Sequence, residues 1–111
     1  MLAGDVVLAE LQQSDGGRKL RPSIILKSIL PFDDVLLCGV SKQLHQISYG
    51  LDELIKADDG DFAQTGLLYP SLIRLGWLQT ISESDIRGVV GSVSKARLNR
   101  LLVRLSSFII A

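Results

Sequence analysis

Short apolar segments separated by polar turns recur along the first two thirds of the chain. Apolar runs occupy residues 6–11, 22–27 and 35–41, a longer alternating segment occupies 70–81, and a glycine-containing run covers 88–93. Runs of this length, rich in β-branched residues and bounded by glycine, proline, serine or aspartate, are typical of β-strands. Because the first three follow one another through short connections, they predict an antiparallel meander.

The pattern changes near the end of the chain, where apolar residues recur at steps of three and four. This spacing predicts an amphipathic helix over residues 94–109, with Ser94 as its N-cap. The apolar stripe of this helix consists of Leu98, Leu101, Leu102, Leu105, Phe108 and Ile109. Such a stripe is typical of a helix that covers a sheet, so Arg97, Arg100 and Arg104 are expected on its solvent-exposed side.

The connecting segments carry weaker signals. Residues 51–55 predict a brief helical turn, and residues 82–85 predict a capped helical turn. The acidic run at 57–61 is expected to be a solvated connector, the usual role of such runs.

Five short strands and one terminal helix predict a mainly β fold with a C-terminal α-helix. The near-meander order favours a small, bent antiparallel β-barrel that the helix closes. Glycines at positions 39, 76, 88 and 91 supply the bends that a small barrel requires. A chain of 111 residues, 47% of them hydrophobic, is expected to form one domain over residues 1–111.

Composition narrows the location and the partners. Twelve basic residues balance twelve acidic ones, so any nucleic-acid binding must come from a local patch of charge. The single cysteine, Cys38, excludes an internal disulfide, and its apolar neighbours predict a buried side chain. No apolar run reaches the length of a membrane span and no cleavable signal is recognised, so we expect a soluble cytoplasmic protein.

A cationic loop joins the first two predicted strands. Residues 12–21 contain two adjacent glycines followed by three cations, Arg18, Lys19 and Arg21. Pro22, expected at the first position of the second strand, restrains Arg21 to an extended conformation. Three cations in four positions favour binding of phosphate or carboxylate, whereas the simpler interpretation is a solvated hairpin loop.

Several motifs occur in a fixed order over nearly the whole chain. They are Gly4-Asp5-Val6, Gly-Gly-Arg-Lys-Leu-Arg-Pro at 16–22, Val40-Ser41, Ser71-Leu72-Ile73-Arg74, Gln79-Thr80-Ile81, and Gly91-Ser92-Val93 before the Leu-rich helix. This ordered set resembles the PemK/MazF family of bacterial toxins, the ribonuclease partners of toxin–antitoxin pairs. The resemblance implies an SH3-like barrel, a homodimer, and cleavage of single-stranded RNA at short sequences without metal or other cofactor. It also implies an antitoxin peptide that lies over the RNA groove.

Metal-free RNA cleavage requires a proton acceptor for the 2′-hydroxyl, a proton donor for the leaving oxygen, and positive charge near the phosphorane. The resemblance assigns catalytic roles to Arg21, as acid or charge stabiliser, and to Ser41, whose hydroxyl positions the phosphate. It assigns substrate binding to Lys19 and Arg74, and Arg18 belongs to the same cationic loop.

The chain departs from the family at Gly76, where relatives with a basic residue at the Arg74 position carry an aspartate as the proposed general base. His45, four residues after Ser41, is a candidate replacement at the substrate site; the alternative is an incidental loop histidine. By strand alternation Trp77 faces away from Arg74, which favours core packing over stacking on an RNA base.

Two other functions remain as alternatives. One is a non-catalytic barrel that binds an antitoxin, and DNA with it, without cleaving RNA. The other is a toxin like the structurally related CcdB proteins, which bind a topoisomerase. The missing general base favours the non-catalytic barrel, whereas the intact Arg-Pro motif favours the endoribonuclease.

Overall fold

A six-stranded antiparallel sheet and one long helix make up most of the structure, a computed structural model that describes residues 1–111. The strands are β1 (Asp5–Gln12), β2 (Arg18–Ile29), β3 (Asp34–Ser41), β4 (Glu53–Ile55), β5 (Ser71–Ser82) and β6 (Ile86–Ser92). The helices are α1 (Phe62–Thr65) and α2 (Lys95–Ile110), and short 3-10 turns cover Leu44–Gln46 and Glu83–Asp85. The strand order is β4-β5-β3-β2-β1-β6, and the sheet does not close. The mainly β class with a C-terminal helix is confirmed.

The sheet differs from the sequence-based expectation in two strands. Glu53–Ile55 pairs with β5 as a strand, so the helical turn expected at residues 51–55 is wrong. Side-chain burial alternates along this strand: Glu53 and Ile55 are buried and Leu54 is exposed. β2 begins at Arg18 because its first residues pair with β1 as far as Gln12. Pro22 is therefore inside the strand, where it is tolerated because pairing with β3 begins only at the next residue.

The turn at residues 82–85 is confirmed, since the hydroxyl of Ser82 caps it by accepting a hydrogen bond from the Ser84 amide at 3.3 Å. No helix of the structure combines the length and the apolar character needed to cross a membrane.

Two buried clusters occupy the two faces of the sheet. Adjacent residues of a strand point to opposite faces, so Val6 belongs to one cluster and Val7 to the other. The first cluster lies under α2 and includes Leu101 of that helix. It also contains Cys38, whose predicted burial is confirmed; burial raises the pKa of its thiol to about 12.

The apolar stripe of α2 is buried over only part of its length. Leu101 and Leu105 are buried, but Phe108 and Ile109 are 58% and 66% exposed. The stripe was predicted to cover the sheet to its end, and this is wrong for the last turn, because the buried contacts of the helix end at Leu105.

The expectation of solvent-exposed arginines on α2 is wrong for Arg97, whereas Arg100 is exposed and Arg104 is partly exposed. Arg97 is 5% exposed because it lies four residues before Leu101 and eight before Leu105, on the same buried face of the helix. Its Nε donates to Asp61 Oδ2 at 2.8 Å, and its Nη1 donates to Glu53 Oε1 at 2.6 Å. A buried guanidinium requires such partners, since an unpaired buried charge is strongly destabilising.

The other two arginines of α2 also bind this region. Arg100 donates to both carboxylate oxygens of Glu53, and Arg104 donates to the carbonyl oxygen of Asp52 at 2.8 Å. The acidic run at 57–61 is therefore not a solvated connector throughout: Asp61 is buried, and Asp59 accepts from Arg97 at 3.1 Å.

Replacing Leu101 by alanine tests whether α2 belongs to the core. Leu101→Ala should lower the free energy of unfolding by about 2–5 kcal/mol, because it removes a fully buried side chain. Leu102→Ala on the adjacent, half-exposed position is the matched control and should cost much less. Urea unfolding measures both; a Leu101→Ala midpoint equal to that of the parent would contradict the packing of α2.

The Arg97–Asp61 pair predicts a specific acid sensitivity. The hydrogen bond from Arg97 lowers the pKa of Asp61 to about 2 from 3.8, so the pair stabilises the fold above pH 4 and loses this contribution as the pH falls toward 2. Asp61→Asn should cost about 1.5–3 kcal/mol at pH 6, the range for hydrogen bonds to charged groups.

The difference in unfolding free energy between the parent and Asp61→Asn should narrow as the pH is lowered from 4, since the unfolded parent then binds a proton at Asp61 while the folded parent, with its lowered pKa, does not. Asp58→Asn, an exposed acid in the same run, is the control and should have little effect at either pH. A difference that is unchanged between pH 6 and pH 3 would contradict the lowered pKa.

Candidate active site

A polar cleft of about 880 Å³ opens where β1, β2, β3 and β5 meet the loops after β1 and β3. Thirteen residues line it, and one of them is hydrophobic. They are Gln12, Gln13, Ser14, Arg21, Ser41, Lys42, Gln43, Gln46, Arg74, Gly76, Trp77, Gln79 and Thr80. Such a wall suits a polar ligand.

The charges in the cleft wall are all positive. Arg21, Lys42 and Arg74 line it without any aspartate, glutamate or histidine, and none of the three forms an ion pair within the protein. The Nε atoms of Arg21 and Arg74 are buried and have no hydrogen-bond partner. Unpaired buried donors beside uncompensated positive charge fit an anionic ligand such as phosphate.

Arg21 and Ser41 enter the cleft from neighbouring strands. The β1–β2 register places Arg21 opposite Ala9, and its Nη2 donates to Gln13 Oε1 at 3.3 Å. Gln13 is held in turn by donating to the Leu11 carbonyl at 3.0 Å. Ser41, the last residue of β3, accepts a hydrogen bond from the Gln43 amide at 3.0 Å, which leaves its hydroxyl proton free to donate.

The other predicted site residues lie in different places. Arg74 shares the cleft with Arg21 and Ser41, whereas Arg18 lines a second depression of about 450 Å³. That depression adjoins the cleft, because both include Gln12, Gln79 and Thr80. Lys19 is exposed on β2 and lines neither cavity. His45 is exposed in the 3-10 turn and lies outside the cleft wall, although Gln43 and Gln46 on either side belong to it.

Trp77 lies in the cleft wall beside Arg74, so the expectation that it faces away is wrong. Cys38 pairs with Leu78 and the next residue, Gly39, pairs with Arg74, which leaves three residues of β5 in a bulge. The bulge breaks the alternation of side chains and turns Trp77 toward Arg74, whose guanidinium carbon is 5.6 Å from the ring centroid. Trp77 also packs against the second buried cluster, as core packing predicted.

Sequence reasoning missed most of the polar wall. Five of the six glutamines of the chain line the cleft, together with Lys42 directly after Ser41. The available signal was the occurrence of two glutamines in each of the two predicted functional segments, at 12–13 at the start of the cationic loop and at 43 and 46 after Ser41. Gly76 lies in the wall as well and contributes no side chain there.

An apolar groove of about 420 Å³ borders the cleft and shares Arg21, Ser41 and Lys42 with it. Tyr69 lies in this groove and half of its surface is exposed, and the Lys42 Nζ lies 4.9 Å from the centroid of its ring. Leu68 and Leu20 are exposed there too, so the cleft continues into an uncovered apolar surface. The structure has no group of three or more His, Cys, Asp or Glu side chains placed to hold a metal ion.

Three solved structures of similar fold are mycobacterial proteins, one titled a MazF toxin and two titled endoribonucleases. "Mycobacterium tuberculosis toxin MazF-mt6" aligns with a TM-score of 0.69 at 18% identity, covering 93% of each chain. An endoribonuclease in complex with its cognate antitoxin, from mycobacterial species, aligns with a TM-score of 0.73 at 15% identity, covering 98% of this chain and 94% of that one. An endoribonuclease from mycobacterial species aligns with a TM-score of 0.71 at 14% identity, covering 98% and 90%. At these identities the likeness shows the shared fold.

Comparison at the level of sequence gives the family. No curated protein matches the chain significantly. The family described as "PemK-like, MazF-like toxin of type II toxin-antitoxin system" matches over residues 2–109, which confirms the resemblance drawn from the motifs. Because this match spans nearly the whole chain, the protein belongs to the PemK-like, MazF-like toxin family of type II toxin–antitoxin systems.

Proposed function

We propose that this toxin is an endoribonuclease that cleaves single-stranded RNA at short sequences without a metal ion. The observation that carries the proposal is the cleft wall, in which Ser41 stands with three cations that have no acidic partner and with two buried guanidinium Nε atoms that have no hydrogen-bond partner. Phosphate is the ligand that such a set of donors binds best. The endoribonucleases of similar fold support the same reaction.

In the proposed reaction the 2′-hydroxyl of a ribose gives up its proton, and its oxygen forms a bond to the adjacent phosphorus. The bond from phosphorus to the 5′-oxygen of the next nucleotide breaks, and that oxygen gains a proton, so the reaction is proton-neutral overall. The products are a 2′,3′-cyclic phosphate and a 5′-hydroxyl, so no water is consumed in this step. Arg21 stabilises the negative charge that develops on the phosphorane, because its planar fork holds two oxygens at once. Ser41 donates its hydroxyl hydrogen to a phosphate oxygen. Arg74 binds the RNA backbone in the cleft.

The remaining candidates are proposed to act beside the cleft. Arg18 and Lys19 carry positive charge along β2, next to the second depression, and they extend the electrostatic attraction for the RNA backbone beyond the cleaved phosphate. His45 is proposed as a substrate contact at the rim, since its neighbours Gln43 and Gln46 line the cleft.

The partner of the protein is proposed to be an antitoxin peptide that covers this surface. One of the structural neighbours is an endoribonuclease in complex with its cognate antitoxin. The apolar groove beside the cleft, with exposed Leu20, Leu68 and Tyr69, offers an uncovered apolar surface next to cationic residues. A peptide that combines apolar and acidic side chains suits both.

A second candidate function is a non-catalytic toxin-family module that binds an antitoxin without cutting RNA. It is favoured by one observation: Gly76 leaves the cleft without the carboxylate that relatives place there, and no imidazole lines the wall in its stead. The cleft therefore lacks a side chain of the usual type for accepting the 2′-hydroxyl proton.

The cleavage reaction should depend on Arg21 more than on any other residue. Arg21→Lys should lower the rate by about 10²–10³-fold, because lysine keeps the charge but loses the fork geometry. Ser41→Ala should cost less, since it removes one hydrogen bond to the phosphate. His45→Ala should also cost less, because His45 lies outside the cleft wall.

The assay is cleavage of a long, unstructured RNA in the presence of a chelator, with each variant verified as folded. Arg87→Lys, an exposed arginine outside the cleft, is the matched control and should leave the rate unchanged. A His45→Ala loss as large as that of Arg21→Lys would identify His45 as the proton acceptor. If the parent cuts nothing in a varied RNA pool, the endoribonuclease proposal fails and the non-catalytic module takes its place.

The protein is proposed to form a homodimer without RNA. Large apolar side chains remain exposed on the monomer, among them Val103, Phe108 and Ile110 of α2. The outer edges of β4 and β6, the two end strands of the sheet, have no neighbouring strand. Burial of such surface is the usual driving force for symmetric dimers. Sedimentation at micromolar concentration should give about 24 kDa, twice the 12.1 kDa chain. A 12.1 kDa species at these concentrations would contradict the dimer.

A further inference from the structure

Arg74 differs from Arg97, the buried arginine of α2, in how its guanidinium is held. The guanidinium of Arg97 donates hydrogen bonds to three carboxylates, so its donors are used. The guanidinium of Arg74 makes no hydrogen bond and no ion pair, and its Nε is buried without a partner. The Arg74 guanidinium instead makes a cation–π contact with the ring of Trp77, with the guanidinium carbon 5.6 Å from the ring centroid.

An aromatic ring can hold an arginine without consuming its hydrogen bonds. Stacking uses the flat face of the guanidinium, whereas its N–H donors project from the edge of the same plane. Trp77 therefore restricts where the Arg74 side chain lies and leaves its donors available. An acidic partner would restrict it equally but would neutralise the charge and occupy the donors, as happens at Arg97.

The ring of Trp77 is itself held by the fold. It packs against the second buried cluster, and a Cβ atom at Gly39 on β3 would overlap the ring. The missing side chain at Gly39 thus allows the indole to lie directly on the backbone of β3. The bulge in β5 between the Cys38–Leu78 and Gly39–Arg74 pairs turns the ring toward the cleft. The buried cluster, the missing side chain at Gly39 and the bulge in β5 together fix the position of the Trp77 ring.

We propose that Trp77 is a positioning residue, which orients the Arg74 guanidinium so that its N–H edge binds a phosphodiester oxygen of RNA in the cleft. The inference rests on the proposed function, because it assumes that RNA occupies the cleft. It assigns Trp77 a role through Arg74 and no stacking contact with a base.

A double-mutant cycle separates these two roles of Trp77. The probe is a random-sequence pool of dye-labelled 2′-O-methyl RNA 12-mers, which cannot be cleaved because the attacking hydroxyl is blocked. Trp77→Leu should weaken binding by about 3- to 30-fold, the range for cation–π contacts, and Trp77→Phe should retain most of the affinity since it keeps a ring. In an Arg74→Ala background, Trp77→Leu should cause no further loss.

The outcomes distinguish the possible failures. If Trp77→Leu weakens binding equally with and without Arg74, Trp77 acts by itself and the positioning role is wrong. If Trp77→Leu leaves the affinity of otherwise parental protein unchanged, the role is wrong as well. If the parent does not bind the pool, the proposed function fails, and this inference falls with it.

Two further measurements do not depend on the stability of Trp77→Leu. Gly39→Ala should displace the ring and weaken binding as Trp77→Leu does, whereas Gly88→Ala, where a Cβ meets nothing within 4 Å, is the matched control and should bind like the parent. Trp77 is also the one tryptophan of the chain, so its fluorescence can be followed in the parent. Saturating RNA should leave most of its emission; loss of most of it would indicate base stacking on the ring and overturn the proposal.

Discussion

The buried guanidinium of Arg97 joins the C-terminal helix to the rest of the protein. It lies on the apolar face of α2 with Leu101 and Leu105, and its hydrogen bonds reach Glu53 on β4 and Asp61 before α1. A buried cation requires partners of this kind because desolvation penalises an unpaired charge. The cover that α2 provides for one face of the sheet therefore depends on an acidic segment 36 positions earlier in the chain.

The same pairing explains how a neutral chain presents a positive cleft. Three acids of residues 52–61, Glu53, Asp59 and Asp61, are engaged by the arginines of α2. Arg21, Lys42 and Arg74, in contrast, line the cleft without acidic partners. Positive charge concentrated in a cleft attracts phosphate even when the net charge of the whole protein is zero. The distribution of carboxylates, and not the number of cations, thus makes the cleft suitable for the RNA chemistry proposed for this toxin.

Three candidates named from the sequence line one cleft, and their catalytic and binding roles stay predictions. Arg21 stood out locally, because it follows two glycines and precedes a proline, whereas Ser41 was named through the family resemblance; both line the cleft. The orientation of Trp77 was not predictable, because a bulge is a property of the register between β3 and β5. The strand at Glu53–Ile55 was not predicted for a similar reason. Three residues are too few to show a strand periodicity, and the segment is a strand because it pairs with the edge of β5.

The sequence by itself determined the mainly β class, the capped helix at the C-terminus, the Arg-Pro element and the family. These depend on periods of two or 3.6 residues and on short motifs, both of which are local properties of the chain. Only the tertiary structure decided which arginines are neutralised and which remain free, since Arg97 finds its acids across the fold while Arg74 finds an aromatic ring across a bulge. Strand register and ion pairing join residues that are distant in sequence, so no local pattern encodes their outcome.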